Sequence, residues 1–172
     1  EALDACTMAY GETVLYSNAR YEYMVERMYR ILKRTIRTLR AQLREGDFVP
    51  AAFEMSFSRV EKLEAVNIAL SGQEKMRLRG RIDRIDTCED EEHVYVKVID
   101  YKSGDKKFNL AALYYGLQLQ LVVYMNVAAE IVARQHPEKE IVPAALLYYH
   151  VSDPVISVED ELSPEEINQK IL

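Results

Sequence analysis

Cysteine is scarce: Cys6 and Cys88 are the only two in 172 residues, far apart and outside any CxxC or Cys/His spacing. That excludes a disulfide-stapled scaffold and a cysteine-built metal site, and reduced thiols fit a cytoplasmic protein. No stretch reaches the roughly 18 consecutive apolar residues of a membrane span, and no basic, apolar leader of the secretory kind is present. A glycine-rich phosphate-binding loop is missing, so ATP binding has no residues here. Internal repeats, low-complexity tracts and a dividing linker are missing too. One domain is therefore expected, with a helical part over about residues 1–48 and a core over about 51–152. The chain opens at Glu1-Ala2-Leu3, without Met and already in helical sequence, which reads as a fragment of a longer protein.

Positive charge is also short. Lys and Arg number 22 against 28 Asp and Glu, a net charge of −6. That argues against a free-standing nucleic-acid binder, which carries a basic surplus. The objection weakens if the acid builds a metal site and the rest of a longer protein supplies the basic surface. What is present is ordinary for a globular domain: 49% hydrophobic and 29% charged residues, enough for a core of useful size.

Residues 19–45 predict one amphipathic helix. Met24, Met28, Ile31, Leu32, Thr35, Ile36, Leu39 and Leu43 share one face at the 3.6 period, and Gly46, Asp47 and Pro50 end it. Seven cations from Arg27 to Arg44 gather opposite. They suit phosphate tracking, and equally a solvated or partner-docking face. The period then changes. Phe53, Met55 and Phe57 alternate, then Val66, Ile68 and Leu70. A third strand is expected from Met76 to Asp86, with Arg77, Arg79, Arg81 and Asp83 on one side of it, and a fourth from Val94 to Tyr101. Residues 109–134 return to helical spacing with few charges, as in a buried helix. Ala144 to Val151 reads as a last strand, and Ser163-Pro164 as the start of a further helix. The order implies an α/β (α+β) arrangement: a central, mostly antiparallel mixed sheet flanked by helices.

Three blocks carry the chemistry: Gly80-Arg81-Ile82-Asp83-Arg84-Ile85-Asp86, then Val98-Ile99-Asp100-Tyr101-Lys102-Ser103-Gly104, then Gln118 to Tyr124. Asp100 and Lys102 stand two apart in a strand and so share a face. They end an otherwise apolar strand, where burying charge is costly unless it is paired or metal-bound. Hairpin pairing brings Asp83 beside Asp100, and two adjacent carboxylates call for a cation; oxygen ligands suit Mg²⁺ or Mn²⁺. A lysine there can orient a water, ease its loss of a proton and balance charge on a phosphate. Taken alone, Asp-x-Lys fits a partly exposed ion pair worth up to about 1 kcal/mol just as well. Gln120 and Tyr124 share a helix face four residues apart, and alone fit buried groups satisfied by backbone. The conjunction is what points to a phosphodiester-hydrolysing site.

In this order the three blocks resemble the RecB-like branch of the PD-(D/E)xK nuclease superfamily, from about Phe53 to Tyr149. "NLAALYYGLQLQLVVYM" and "AALLYYHVSDPVI" resemble the C-terminal nuclease domain of the AddB/RexB subunits of bacterial helicase–nuclease complexes, which resect broken DNA ends for recombinational repair. The resemblance implies a restriction-endonuclease-like core and a Mg²⁺-dependent deoxyribonuclease, with Mn²⁺ able to substitute. Asp83 and Asp100 would hold the metal, helped by the backbone carbonyl of Tyr101. Lys102 would position or activate the water, and Gln120 and Tyr124 would support the site or touch DNA. Glu54 matches an upstream acidic position and is an accessory residue rather than a catalytic one. The implied partners are DNA, as the single strand released by unwinding, and the partner helicase–nuclease subunit of the complex; no membrane is involved. Two family features have no match. His93, His136 and His150 fit no Gly-x-x-x-His helix, and Cys6 and Cys88 fit no iron–sulfur motif. The chain alone is thus expected to lack the cluster and to cut poorly or not at all. The alternative function is an inactive nuclease fold kept for DNA handling and assembly of the complex.

Overall fold

Val94, Val96 and Val98 alternate with polar residues, and in the computed structural model all three are buried on one face of a central strand. The structure describes residues 2–9, 18–57, 63, 67–69, 75–104, 107–152 and 163. Past Ser163, the helix expected to start there therefore lies outside the described residues. By its internal contacts the chain divides into two units, Glu1–Arg40 with Val151–Leu172, and Ala41–His150.

The first unit contains helix α1 (Ala2–Ala9) and most of α2 (Ala19–Glu45). Asn18 starts α2: its side-chain oxygen accepts the backbone N–H groups of Arg20 and Tyr21 at 3.0 and 3.1 Å, satisfying donors the helix leaves orphaned. The apolar stripe is present, yet Met24, Leu32 and Ile36 are exposed and Val25 is the buried residue of this helix. Periodicity fixes which side chains share a face, and leaves open whether anything covers that face.

The second unit carries a four-stranded sheet in the order β1 (Val49–Ser56), β4 (Arg81–Glu89), β5 (His93–Lys102) and β6 (Glu140–His150). β1 with β4 and β4 with β5 are antiparallel, whereas β5 and β6 run parallel. A parallel pair needs a crossover, and α4 (Gln120–Gln135) supplies it, packing on β5 and β6. Leu121, Met125, Ala128 and Val132 form its inward stripe against Ile82, Ile85, Val94, Val96 and Val98. The mixed sheet with flanking helices is the expected architecture. No described helix is long and apolar enough to cross a membrane.

Two expected elements are divided. The strand expected from Met76 to Asp86 is two strands: β3 (Lys75–Arg77) pairs with β2 (Asn67–Ala69) in a separate sheet, and β4 begins at Arg81. Gly80 marks the switch, where its carbonyl accepts the Phe57 N–H at 3.1 Å. The helix expected over 109–134 is likewise α3 (Leu110–Tyr114) and then α4. Asn109 caps the start of α3, its side chain accepting from Ala112 N. Gly116, at φ +75°, closes it: Gly116 N–H donates to Leu113 O and Leu117 N–H to Ala112 O. That pair of bonds is the Schellman stop, and a left-handed residue there favours glycine.

At the β4–β5 turn, Asp90 accepts from the backbone N–H of His93 at 2.7 Å and of Glu92 at 2.9 Å. These two bonds first of all hold its carboxyl down to about 2 from an ordinary 3.8. A depressed carboxyl stabilises the fold above its unfolded value and loses that effect as pH falls through its folded one. The difference in melting temperature between the unmodified chain and Asp90→Ala is thus expected to be constant above about pH 4 and to shrink toward about pH 2. A difference independent of pH across that window would show that the carboxylate is not what holds the turn.

Candidate active site

Asp100 sits near the C-terminal end of β5, where the apolar face of the strand meets the first turn of α4. Alternation puts Lys102 on the same face and Tyr101 on the other. The Asp100 carboxylate is buried at 2% exposure. Its Oδ2 contacts Lys102 Nζ at 2.5 Å, an ion pair whose angles fall outside hydrogen-bond geometry, so this fully buried oxygen accepts no hydrogen bond. Its Oδ1 accepts from Gln120 Nε2 at 3.3 Å. Gln120 opens α4 and bridges the group: Oε1 accepts from Lys102 Nζ at 3.4 Å, and Nε2 also donates to the Tyr124 hydroxyl at 2.9 Å. Gln120 and Tyr124 meet because they are one helical turn apart.

Asp83 approaches from β4. Its Oδ2 accepts the backbone N–H of Tyr101 at 2.8 Å. The β4–β5 register runs to Arg84 opposite Ile99, and Asp83 is the next residue along β4. Burial would lower the Lys102 pKa, but the adjoining Asp100 carboxylate outweighs it, with Asp83 adding a smaller push; the net direction is up. Lys102 is therefore an ammonium at neutral pH.

The structure thus brings Asp83, Asp100, Tyr101, Lys102, Gln120 and Tyr124 together. Gln118 points elsewhere, as expected: it accepts from Asn109 N and donates to Lys107 O. Glu54 stands apart, with φ +49°, pairing with Arg81 Nε at 3.0 Å on an exposed face. Among the described residues no group of three or more His, Cys, Asp or Glu side chains is placed to hold a metal ion. The side-chain oxygen donors this group offers with a negative charge are the Asp83 and Asp100 carboxylates. The hard donor set and the buried Asp100 Oδ2 without a hydrogen bond both favour a divalent cation.

Tyr148 was not foreseen. The parallel β5–β6 register sets it opposite Asp100, and its ring lies under Lys102 Nζ at 5.6 Å from the centroid. Burial first, and the Asp100 charge second, push its phenol up. The only signal in the sequence was a Leu- and Tyr-rich strand, because which residue faces which across a parallel pair is not written locally.

Gly80 has a steric role here. A Cβ on it would lie 2.6 Å from Phe57 Cζ and 3.3 Å from Tyr124 Cε1, and those rings meet edge to face at 5.9 Å. Phe57 is buried, at 2% exposure. Gly80→Ala is expected to destabilise the fold by about 1–3 kcal/mol, the usual cost of overpacking. Adding Phe57→Leu should recover part of that loss in thermal melts; no recovery would place the cost elsewhere.

A family model described as the PD-(D/E)XK nuclease superfamily matches residues 1–171. A protein from Lachnoclostridium phytofermentans, named as a subunit of an ATP-dependent helicase/deoxyribonuclease, is 42% identical over 162 residues, covering 94% of this chain and 13% of its own length. Its namesake from Clostridium tetani is 40% identical over 154 residues, 90% of this chain and 13% of that one. Another of the same name, from Alkaliphilus metalliredigens, is 38% identical over 175 residues, 99% and 15% respectively. The chain spans about 13–15% of the length of these relatives.

Proposed function

The chain belongs to the PD-(D/E)XK nuclease superfamily, and on that premise we propose that it is the divalent-metal-dependent deoxyribonuclease domain of an AddB/RexB-type subunit in a helicase–nuclease complex. Its substrate is DNA, taken as the single strand released by unwinding, in the cytoplasm and beside the partner helicase–nuclease subunit. The observation that carries the reading is the Asp100–Lys102–Gln120 group with the Asp83 carboxylate hydrogen-bonded one residue away, at Tyr101 N. The names of the relatives carry the assignment to a helicase/deoxyribonuclease complex.

Asp83, Asp100 and the Tyr101 carbonyl hold the ion, Mg²⁺ with Mn²⁺ able to substitute. When bound, it polarises the phosphodiester and stabilises the charge that develops on its oxygens. Lys102, as an ammonium, orients the attacking water and balances charge on the phosphoryl group. The ring of Tyr148 on one side and Gln120 on the other hold Nζ in place. Gln120 in turn fixes the Asp100 carboxylate, and Tyr124 fixes Gln120. Glu54 has an accessory place at most, since its ion pair with Arg81 is exposed. The chain alone, with no Gly-x-x-x-His helix, is expected to hold the ion more weakly than a complete site.

The test is release of nucleotides from labelled single-stranded DNA by the full-length protein with its partner. Cleavage should stop with EDTA, return with Mg²⁺ or Mn²⁺, and be lost in Lys102→Ala. Tight DNA binding with no divalent-dependent cutting would instead favour an inactive fold kept for DNA handling.

A further inference from the structure

The block Gly80 to Asp86 holds two charged residues that the proposed chemistry does not use. Arg84 and Asp86 are both on β4, and both are buried, at 4% and 0% exposure. Their guanidinium and carboxylate form a two-pronged pair, Nε to Oδ1 at 2.5 Å and Nη2 to Oδ2 at 2.8 Å. Lys97 adds a second cation, 3.1 Å from Asp86 Oδ2. A buried pair of this kind is weak evidence for stability, because apolar residues of similar size often do as well or better. Stability alone therefore does not account for it.

The remaining Arg84 donor indicates another role. Nη1 donates to the Tyr101 hydroxyl at 3.3 Å, on the sheet face opposite Asp100 and Lys102. The Tyr101 ring also packs edge to face on Tyr149, with centroids 5.5 Å apart. The backbone of Tyr101 is part of the candidate site: its N–H donates to Asp83, and its carbonyl lies between Asp100 and Lys102 in the chain. The antiparallel ladder between β4 and β5 runs from Glu89 opposite Val94 to Arg84 opposite Ile99. Past Ile99, the links from β4 to Tyr101 are made by side chains, the Asp83 carboxylate on its N–H and the Arg84 guanidinium on its hydroxyl.

We propose that Arg84 and Asp86 are positioning residues for the metal site: Asp86 locks the Arg84 guanidinium, and Arg84 anchors the Tyr101 side chain from behind the sheet. With the phenol held, the peptide of Tyr101 keeps its N–H on Asp83, and its carbonyl would be available to hold the ion. The inference rests on the reading of Asp83, Asp100 and the Tyr101 carbonyl as metal ligands. Arg84 is suited to the task because its planar fork serves the carboxylate with two donors and leaves a third for the phenol.

The test is a titration of the chain with Mn²⁺ alone, following the magnetic-resonance signal of the free ion, beside melting curves recorded without metal. Two changes are compared. Tyr101→Phe removes only the hydroxyl; Arg84→Met together with Asp86→Leu replaces the whole buried pair by apolar side chains. Each is expected to weaken Mn²⁺ binding about 10-fold, the low end of the effect of outer-shell partners. The two combined should weaken it no further than either does, and metal-free melting should not fall in Tyr101→Phe. Binding within about twofold of the unmodified chain in both variants, while Asp100→Ala abolishes it, would overturn the positioning role and leave the site intact. If Asp100→Ala binds Mn²⁺ as well as the unmodified chain does, the site itself is misread and the positioning role falls with it.

Discussion

Asp100→Asn in the full-length protein is expected to lower metal-dependent DNA cleavage by about 10³-fold, corresponding to several kcal/mol of transition-state stabilisation, while lowering the melting temperature only slightly. The two halves of this result have one cause. Asp100 is buried, with one carboxylate oxygen that accepts no hydrogen bond and pairs with the Lys102 ammonium. Its pair with Lys102 contributes little to folding, since the Lys102 side chain is 21% exposed and can turn its ammonium to water. An amide of the same shape removes the negative charge that a divalent ion needs and can still accept from Gln120. Single-turnover cleavage at saturating Mg²⁺ measures the rate, and thermal melts of the same preparations show whether folding is intact. A loss of activity accompanied by a large drop in melting temperature would instead make Asp100 a structural residue.

The second large effect concerns stability. Arg84→Ala is expected to destabilise the chain by about 3–5 kcal/mol, because it strips the bidentate partner from a carboxylate with no access to water. Asp86 keeps Lys97 at 3.1 Å, but a flexible ammonium cannot replace the fork that satisfied both oxygens. At about 2–4 °C per kcal/mol for a chain of this size, the melting temperature should fall by roughly 10 °C. Replacing both partners, Arg84→Met with Asp86→Leu, should restore most of it, because the one charge left without its partner, Lys97, is 20% exposed and can reach water. If the single and double replacements melt together near the unmodified value, the pair is not buried as the structure has it.

How much of this was legible in the sequence differs from element to element. Strand β5 was, because Val94 to Lys102 alternates cleanly and ends in two charges on its apolar face. The hairpin partner carrying Asp83 followed from the short polar turn, and the helix carrying Gln120 and Tyr124 from its unbroken apolar spacing. The breaks were less visible. Gly116 ends α3 through a left-handed turn, and a single glycine in a helical pattern is tolerated often enough that only the Schellman bonds reveal the stop. Gly80 separates β3 from β4 for a reason that lies far back in the chain, in the ring of Phe57. Tyr148 required the parallel register. By alternation Arg84 and Asp86 fall on the side of the expected strand opposite Arg77, Arg79, Arg81 and Asp83, and only tertiary burial shows that both are covered. In α2 the pattern named the stripe correctly, but Ile36 is 62% exposed, so amphipathicity alone did not settle burial.

The most direct measurement is a crystal structure of the chain soaked in Mn²⁺, with the ion located by its anomalous scattering. One ion is predicted at about 2.1–2.2 Å from oxygens of Asp83 and Asp100 and from the Tyr101 carbonyl, a separation set by hard divalent–oxygen bonding. Lys102 Nζ should lie beside that ion without touching it. Carboxylates that stay unligated, or an ion bound away from both of them, would contradict the account.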